Sequence, residues 1–264
     1  MPLFSAGIAS HDARLKKATL SFEDAERTVH IWPIYTEASK GITAQFEQML
    51  APDERERAER FRFDYLRQSF ILARGALRVL LGYYLDVDPA SVQFGYGSKG
   101  KPHIALPTRV RFNISHSDNL AVFAFAVGCD LGVDVERIRT LSDMQHVAER
   151  YFCFEEAAQL TSLPMDQRER AFFHCWTRKE AYVKAIGDGL SARLDNFQVT
   201  LEQNEPAAFL HLEHDRHAAK GWALHDLKLA TNYVAALAYR GTPRHVCILP
   251  LIDAAELKQL HFRF

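Results

Sequence analysis

The sequence predicts an α+β protein of two similar subdomains, each with a mainly antiparallel sheet packed by helices. Its 264 residues are 48% hydrophobic and 25% charged, which is enough apolar material for a full core and argues against disorder or low complexity. Both halves follow one order of elements: a strand, helices, then several strands. We therefore expect an N-terminal subdomain over residues 1–129 and a C-terminal one over 130–264, meeting near residues 128–131.

The first half alternates clearly between strand and helix patterns. The apolar, β-branched start of VHIWPIY predicts a strand, in which Pro33 favours an edge or bulged position, and a helical stretch follows. Apolar side chains at helical spacing after Pro52 predict two consecutive helices. In order, we expect a strand over 29–35, two helices over 53–85, a turn over 95–102 and hairpin strands over 110–114 and 120–127, flanking SHSDN.

The second half begins with LGVDVERI, an apolar run typical of a strand. Its longest helix ends at a stop signal, Gly187-Asp188-Gly189. In order, we expect a strand over 131–138, helices over 143–152, 155–160 and 166–186, and strands over 197–201, 208–212, 222–229 and 233–239.

Composition argues against several classes of function, including nucleic-acid binding, membrane insertion and thiol redox chemistry. The 32 Lys and Arg residues balance 33 Asp and Glu, so no global charge favours nucleic acid or membranes. Four separate cysteines without a CxxC pair predict reduced thiols rather than a zinc knuckle or a redox pair. The start of the chain lacks a secretion signal, and the longest apolar run is far shorter than the ~20 residues of a membrane span. We expect a cytoplasmic protein without nucleic-acid or membrane partners.

Asp134 and Glu136 lie two residues apart in the predicted strand over 131–138. The two-residue period of a strand projects both carboxylates from one face, about 7 Å apart. A solvated strand face is the simple alternative, but the apolar flanks favour partial burial. Two repelling carboxylates in a partly dry site need a cation or must take up protons, and Mg²⁺ suits oxygen ligands of this kind.

Trp176, Glu180 and Lys184 recur every four residues in the long predicted helix and so share one stripe. The spacing alone is equally that of a surface Glu–Lys pair. The large apolar Trp176 instead favours a half-buried site, in which Glu180 supplies a third carboxylate and Lys184 reaches a phosphate.

A local excess of cations marks residues 97–116, where Lys99, Lys101, Arg109 and Arg111 occur without any acid. Gly97, Gly100 and Pro102 restrain this loop, which could act as a phosphate cradle, although a solvated hairpin turn has the same composition. No GxxxxGK[ST] spacing makes it a P-loop.

Ser115 and His116 fall in the predicted turn between the two hairpin strands, where loops display side chains. No GxSxG elbow accompanies them, which excludes the usual serine-hydrolase arrangement. We interpret His116 as a donor to a phosphate oxygen or as a positioned acid, with a solvated turn histidine as the alternative.

Four short segments are each weak indicators of a family, but their occurrence in one order is specific. They are GKP at 100–102, FNISHS at 112–117, GVDVE at 132–136 and WTRKEAYVKAIGDGL at 176–190. Together they resemble the 4′-phosphopantetheinyl transferase superfamily, most closely its surfactin-synthetase-activating, Sfp-like type. That type is a single-chain pseudodimer, which agrees with the two predicted halves.

The resemblance implies transfer of the 4′-phosphopantetheine moiety of coenzyme A to a serine of an apo acyl or peptidyl carrier protein, releasing 3′,5′-ADP. It implies Mg²⁺, with Mn²⁺ as an alternative, on Asp134, Glu136 and Glu180. It gives catalytic roles to Glu180, as general base, and to Lys184 and His116. The coenzyme A contacts it implies are Arg57, Arg74, Lys101, Pro102, Ser115, His116 and Lys184. Glu54 stands where some members carry a lysine.

The expected partner is an acidic carrier protein, because such carriers are acidic helical bundles, and a monomeric enzyme is expected. Its docking candidates are Arg150, Tyr151, Phe152 and Phe154, with buried aromatics as the alternative interpretation. Two other functions use the same residues: a metal-dependent phosphodiesterase acting on a nucleotide diphosphate, and a non-catalytic coenzyme A-binding protein.

Overall fold

The computed structural model describes residues 26–38, 40–187, 193–201, 205–213 and 215–259, and in that part of the chain it confirms the α+β class. The helices are α1 (Lys40–Met49), α2 (Pro52–Glu59), α3 (Asp64–Leu85), α4 (Met144–Tyr151), α5 (Phe154–Ser162), α6 (Met165–Ile186) and α7 (Arg216–Ala219). The strands are β1 (Thr28–Tyr35), β2 (Phe94–Tyr96), β3 (Pro102–Ile104), β4 (Val110–Ser117), β5 (Leu120–Val127), β6 (Leu131–Arg137), β7 (Phe197–Val199), β8 (Phe209–Leu212), β9 (Trp222–Asp226), β10 (Tyr233–Arg240), β11 (His245–Ile248) and β12 (Ile252–Asp253).

The first half is built on a sheet with the order β11-β1-β5-β4, and β12 also pairs with β1. One face of this sheet packs against α3, whose buried side chains Ile71, Leu77 and Leu80 share a core with Trp32 and Phe123. The predicted pair of consecutive helices is confirmed as α2 and α3, and α1 is the helical stretch expected after β1.

Pro33 does not place β1 at the edge of the sheet, which corrects the sequence prediction. On one side β1 pairs antiparallel with β5, and on the other it pairs in parallel with β11 over Thr28–Ile31 and with β12 over Ile34–Tyr35. Pro33 lies where this parallel partner changes, so its missing N–H breaks no ladder hydrogen bond on that side.

The hairpin of β4 and β5 is longer than predicted. β4 continues to Ser117, and His116 lies opposite Ala121, so Ser115 and His116 belong to a strand and not to a turn. The turn consists of Asp118 and Asn119, and Asp118 has a φ of 53°. SHSDN predicted a turn because it is polar. Its serines are polar for another reason, which is that they bind the backbone of β6, and the local sequence does not reveal this neighbour.

The second half is built on the antiparallel sheet β6-β10-β9, and α6 packs on one face of it. α6 ends as predicted, with Gly187 at a φ of 82°, while Asp188 and Gly189 lie outside the described residues. The four strands predicted after α6 are confirmed as β7 to β10. Among the described residues, no helix combines the length and apolar character needed to cross a membrane.

The two sheets pack against each other through a shared apolar layer. Val29, Ile31 and Val122 of the first sheet meet Val133 and Leu237 of the second. The two α+β halves of the prediction are therefore confirmed. The return of β11 and β12 to β1 was not predicted, and the division at residues 129 and 130 stays a prediction of domain organisation.

Candidate active site

Asp134 and Glu136 lie on the face of β6 that α6 covers, while their neighbours Val133 and Val135 enter the layer between the sheets. Asp134 is buried, with only 4% of its surface exposed. Its Oδ1 accepts hydrogen bonds from Ser115 Oγ at 2.8 Å and Lys184 Nζ at 2.6 Å. The shared face that the two-residue period predicts is thus present, and two other elements reach it.

Glu136 is held nearer the rim of the site. Its Oε2 accepts from Ser117 Oγ at 2.8 Å and from Arg139 Nη1 at 3.2 Å. Its side chain keeps 23% of its surface exposed, so this carboxylate remains within reach of solvent and of a ligand.

Helix α6 brings Glu180 and Lys184 over β6. The predicted stripe is half-buried throughout, since Trp176, Glu180 and Lys184 are all of intermediate exposure. Trp176 closes the stripe by packing on Phe172 and Tyr151, with ring centroids 5.9 Å and 6.0 Å away. A solvated surface pair is therefore the wrong interpretation for Glu180 and Lys184.

The neighbours of this stripe in the WTRKEAYVK motif are structural. Arg178 makes two hydrogen bonds to Asp226, at 2.9 Å and 2.6 Å. Lys179 is fully buried and pairs with the equally buried Glu156 at 2.8 Å. These two ion pairs, in which both α6 side chains are fully buried, fix the rotation of α6 and leave the opposite stripe to the site.

The carboxylates repel one another in a partly dry environment. Burial raises the pKa of Asp134, although Lys184 and Ser115 oppose the shift. Burial and the charge of Asp134 likewise raise the pKa of Glu180. Asp134 Oδ2 is buried and accepts no hydrogen bond within the described part of the chain. A buried carboxylate oxygen without a hydrogen-bond donor, next to a second carboxylate whose pKa is also raised, fits the ligand set of a hard divalent cation.

The types of side chain fit a divalent cation, but they are not yet arranged as a complete set of ligands. Among residues that the structure describes, no three His, Cys, Asp or Glu side chains are already grouped as a metal site. Lys184 takes up one oxygen of Asp134, and Ser117 with Arg139 takes up one of Glu136.

His116 stands exposed near the end of β4, beside this cluster. Partial desolvation of the imidazole, followed by the charges of Lys184 and Arg57, lowers the pKa of His116. Arg57 on α2 and Lys184 on α6, both predicted coenzyme A contacts, therefore lie close enough to His116 for their charges to act on it.

Arg74 is engaged by protein groups. Its guanidinium pairs with Glu54, donates to the Tyr96 hydroxyl at 3.1 Å and lies 3.9 Å from the centre of the Phe94 ring. Glu54 also accepts from Arg78 Nε at 2.7 Å. Burial would raise the pKa of Glu54, but the Arg78 hydrogen bond and the Arg74 charge lower it overall.

The basic loop forms the hairpin of β2 and β3, which the sequence predicted only as a turn. Gly100 takes a φ of 83°, and the Gly97 N–H donates to Lys101 O at 2.9 Å. Arg109 pairs with Glu26 and Arg111 with Asp130 at the surface, so two of the four predicted cations have acidic partners.

Lys101 crosses from this hairpin to the second half. Its Nζ donates to Leu131 O at 3.3 Å and to Ala185 O at 3.1 Å, and burial lowers its pKa. A cleft of about 510 Å³ opens beside it, lined by Lys101, Pro102, Arg111, Asp130 and Gly187 among others. Lys101 is thus both a link to the end of α6 and a wall of this cleft.

Sequence reasoning missed three residues that set how the strands and the helix around the site pack together. Gly132 lets α6 approach β6, and Asn113 and Ser117 bind β6 from β4. The alternation Asn-x-Ser-x-Ser in β4 is the signal that could have found the last two, because the two-residue period places these side chains on one face.

Comparison with known proteins identifies the family of the chain. The family model described as "4′-phosphopantetheinyl transferase superfamily" matches residues 130–238, and "4′-phosphopantetheinyl transferase, N-terminal" matches residues 37–127. The 4′-phosphopantetheinyl transferase HetI of Nostoc sp. is 39% identical over 216 residues, 81% of this chain and 88% of HetI. The 4′-phosphopantetheinyl transferase Sfp of Bacillus subtilis is 30% identical over 176 residues, 66% of this chain and 77% of Sfp.

Among solved structures, the holo-[acyl-carrier-protein] synthase of Thermotoga maritima aligns with a TM-score of 0.34 and 19% identity, covering 43% of this chain and 63% of that one. The two family matches and the similarity to HetI confirm the resemblance that the four motifs predicted. The chain belongs to the 4′-phosphopantetheinyl transferase superfamily.

Proposed function

We propose that this enzyme transfers the 4′-phosphopantetheine moiety of coenzyme A to a serine of an apo acyl or peptidyl carrier protein and releases 3′,5′-ADP. One observation carries the proposal. Lys184 of α6, Asp134 of β6 and Ser115 of β4 join in one hydrogen-bonded cluster across the two halves, with Glu180 one helical turn from Lys184. Such a cluster offers an ammonium group to a pyrophosphate and carboxylates to a divalent ion that would accompany it.

Asp134, Glu136 and Glu180 would hold Mg²⁺, or Mn²⁺ in its place. The unpartnered Oδ2 of Asp134 and the raised pKa values of Asp134 and Glu180 support this role. When bound, the ion supplies charge stabilisation to the pyrophosphate oxygens.

The reaction needs a base for the carrier serine. Its hydroxyl oxygen attacks the β-phosphorus of coenzyme A, the bond from that phosphorus to the bridging oxygen breaks, and 3′,5′-ADP leaves. We assign the hydroxyl proton to Glu180, because a carboxylate with a raised pKa is a stronger proton acceptor, with a water molecule as the alternative.

The cations around the cluster would bind the anionic ends of coenzyme A. Lys184 and the Ser115–His116 pair suit the pyrophosphate, because Lys184 already donates to Ser115 at 2.8 Å. Arg57 and Arg74 would take the nucleotide end, and Lys101 and Pro102 would contact coenzyme A from the cleft that they line. Arg74 reaches a phosphate only in competition with Glu54.

We place carrier docking on the surface around α4 and α5. Phe154 is 83% exposed and Tyr151 is 38% exposed, with Arg150 lying over the Tyr151 ring. Phe152 is only 3% exposed and packs on Phe172, so it leaves the set of predicted contacts. The exposed aromatic and basic groups suit an acidic helical partner. We further propose that the enzyme is a monomer, since one chain contributes every residue named above, and that it acts in the cytoplasm.

Incubation with coenzyme A, Mg²⁺ and a panel of apo carrier domains tests the proposal. We expect intact-mass measurement to show one added phosphopantetheine group on at least one carrier, and none on the same carrier with its serine replaced by alanine. Nucleotide release without carrier modification would instead indicate a phosphodiesterase. Binding of coenzyme A without either product would indicate a non-catalytic binding protein.

A further inference from the structure

Two serines of β4 repeat one hydrogen-bond pattern along β6. Ser115 Oγ donates to Asp134 Oδ1 at 2.8 Å and accepts from the Val135 N–H at 3.3 Å. Ser117 Oγ donates to Glu136 Oε2 at 2.8 Å and accepts from the Arg137 N–H at 3.1 Å. Each hydroxyl thus binds one carboxylate and the backbone amide of the next residue.

Asn113 continues this series without a carboxylate. Its Oδ1 accepts from the Val133 N–H at 2.8 Å, but the residue before Val133 is Gly132, which has no side chain. Asn113 therefore shares the structural role of the two serines, which is to join the edges of the two sheets. In the part of the chain that the structure describes, it makes no hydrogen bond to an acidic group of the site.

The direction of the Ser117 hydrogen bonds follows from its chemistry. A hydroxyl has a single proton, and the Arg137 N–H occupies one of its acceptor positions, so that proton is given to Glu136. Ser117 is 9% exposed, whereas Arg139, the other partner of Glu136, has 54% of its side chain exposed. A buried, charge-assisted hydrogen bond restricts the carboxylate more than an exposed ion pair does.

We infer that Ser117 is a positioning residue that holds the Glu136 carboxylate in place for cation binding. The inference rests on the proposed function, because it assigns Glu136 to the cation site. Groups that orient a ligand side chain typically change metal affinity 10- to 100-fold when they are removed.

The inference is tested by measuring the Mn²⁺ affinity of the whole chain. Mn²⁺ is titrated in the absence of coenzyme A, and electron paramagnetic resonance detects the bound ion. We expect Ser117→Ala to weaken Mn²⁺ binding about tenfold and Ser117→Thr, which keeps the hydroxyl, to restore it. Asn113→Ala is the matched control, since it removes a hydrogen bond between the same two strands. It should lower the unfolding temperature as Ser117→Ala does, but leave Mn²⁺ affinity within twofold of the original. Asn113→Ser serves as a milder control should Asn113→Ala not fold.

Equal Mn²⁺ affinity in Ser117→Ala and the unsubstituted enzyme would overturn the inference, and so would an equal loss in Ser117→Ala and the Asn113 control. The proposed function has its own test, which is carrier modification by the unsubstituted enzyme. Carrier modification with unchanged Mn²⁺ affinity in Ser117→Ala removes the inference alone. Weakened Mn²⁺ binding in an enzyme that modifies no carrier removes the function and leaves the positioning role.

Discussion

Gly132 lies directly beneath the Ala181 carbonyl of α6: a Cβ atom added to Gly132 would stand 2.1 Å from that oxygen and 2.3 Å from the Ala185 nitrogen. Both obstacles are backbone atoms, so no side-chain rotation relieves them. The missing side chain at Gly132 therefore sets the separation of α6 from β6, and with it the distance from Glu180 and Lys184 to Asp134.

We predict that Gly132→Ala lowers both stability and transfer. The helix must move outward, and overpacking of this kind costs about 1–3 kcal/mol of unfolding free energy. A displacement of roughly 1 Å at reacting groups can cost on the order of 100-fold in rate. Denaturant unfolding and the rate of carrier modification measure the two effects.

Gly41 provides the control for this substitution. It lies in α1, and an added Cβ atom would meet nothing within 4 Å. Gly41→Ala should leave transfer unchanged and change stability by less than about 0.5 kcal/mol, because Gly41 is an exposed residue in the first turn of α1. Full activity in Gly132→Ala would show that the close approach of α6 is not needed.

We predict that Glu180→Gln removes transfer without destabilising the fold. Glu180 has no hydrogen bond or ion pair among the described residues. Burial, followed by the charge of Asp134, raises its pKa, so a neutral side chain relieves both desolvation and repulsion. Loss of a general base typically costs 10²- to 10⁴-fold in rate. Transfer rates and thermal unfolding measure the outcome, and Asp134→Ala should also lose transfer. Turnover close to that of the unsubstituted enzyme in both variants would remove these carboxylates from the mechanism.

Lys101→Ala should raise the Michaelis constant for coenzyme A more than it lowers the maximal rate. Loss of its hydrogen bonds to Ala185 O and Leu131 O should also lower the unfolding free energy by about 1–2 kcal/mol. Lys99→Ala, in the same loop, is the control and should change both quantities less. Initial rates at varied coenzyme A concentration provide the measurement, and an unchanged Michaelis constant would exclude Lys101 from the coenzyme A site.

Local patterns predicted most helices and strands because those elements carry their own periodicity. α6 shows an apolar stripe and ends at Gly187, and β6 and β10 are apolar runs of typical strand length. The face shared by Asp134 and Glu136 followed from the strand period alone. The carry-over of family motifs then assigned Glu180 and Lys184 to the same site.

Long-range pairing was the part that local patterns could not predict. Pro33 favours a sheet edge, but its place inside the sheet depends on β11 and β12, more than 200 residues later in the chain. Ser115 and Ser117 indicate a turn until β6 is known to lie beside β4. The role of Gly132 likewise depends on the packing of α6, which no local preference encodes.

A buried network around His30 predicts how stability depends on pH. The Tyr84 hydroxyl oxygen accepts from Trp32 Nε1 at 2.9 Å and lies 2.7 Å from His30 Nδ1, and we assign the Tyr84 proton to this nitrogen because burial favours the neutral imidazole. Only a neutral imidazole accepts that proton. Burial, with a contribution from His245, accordingly lowers the pKa of His30 to about 4.

The unfolded chain binds a proton at His30 below its ordinary pKa of about 6.5, whereas the folded chain does so only near 4. The stabilisation from neutral His30 is therefore complete above pH 6.5 and declines as the pH falls toward 4. Between pH 7 and pH 5 this linkage amounts to about 2 kcal/mol of unfolding free energy. His30→Gln keeps an acceptor for Tyr84 but does not titrate, so it should lose about that much less stability over this interval in urea unfolding. Identical pH dependence in both proteins would show that His30 is already protonated in the folded state at pH 5.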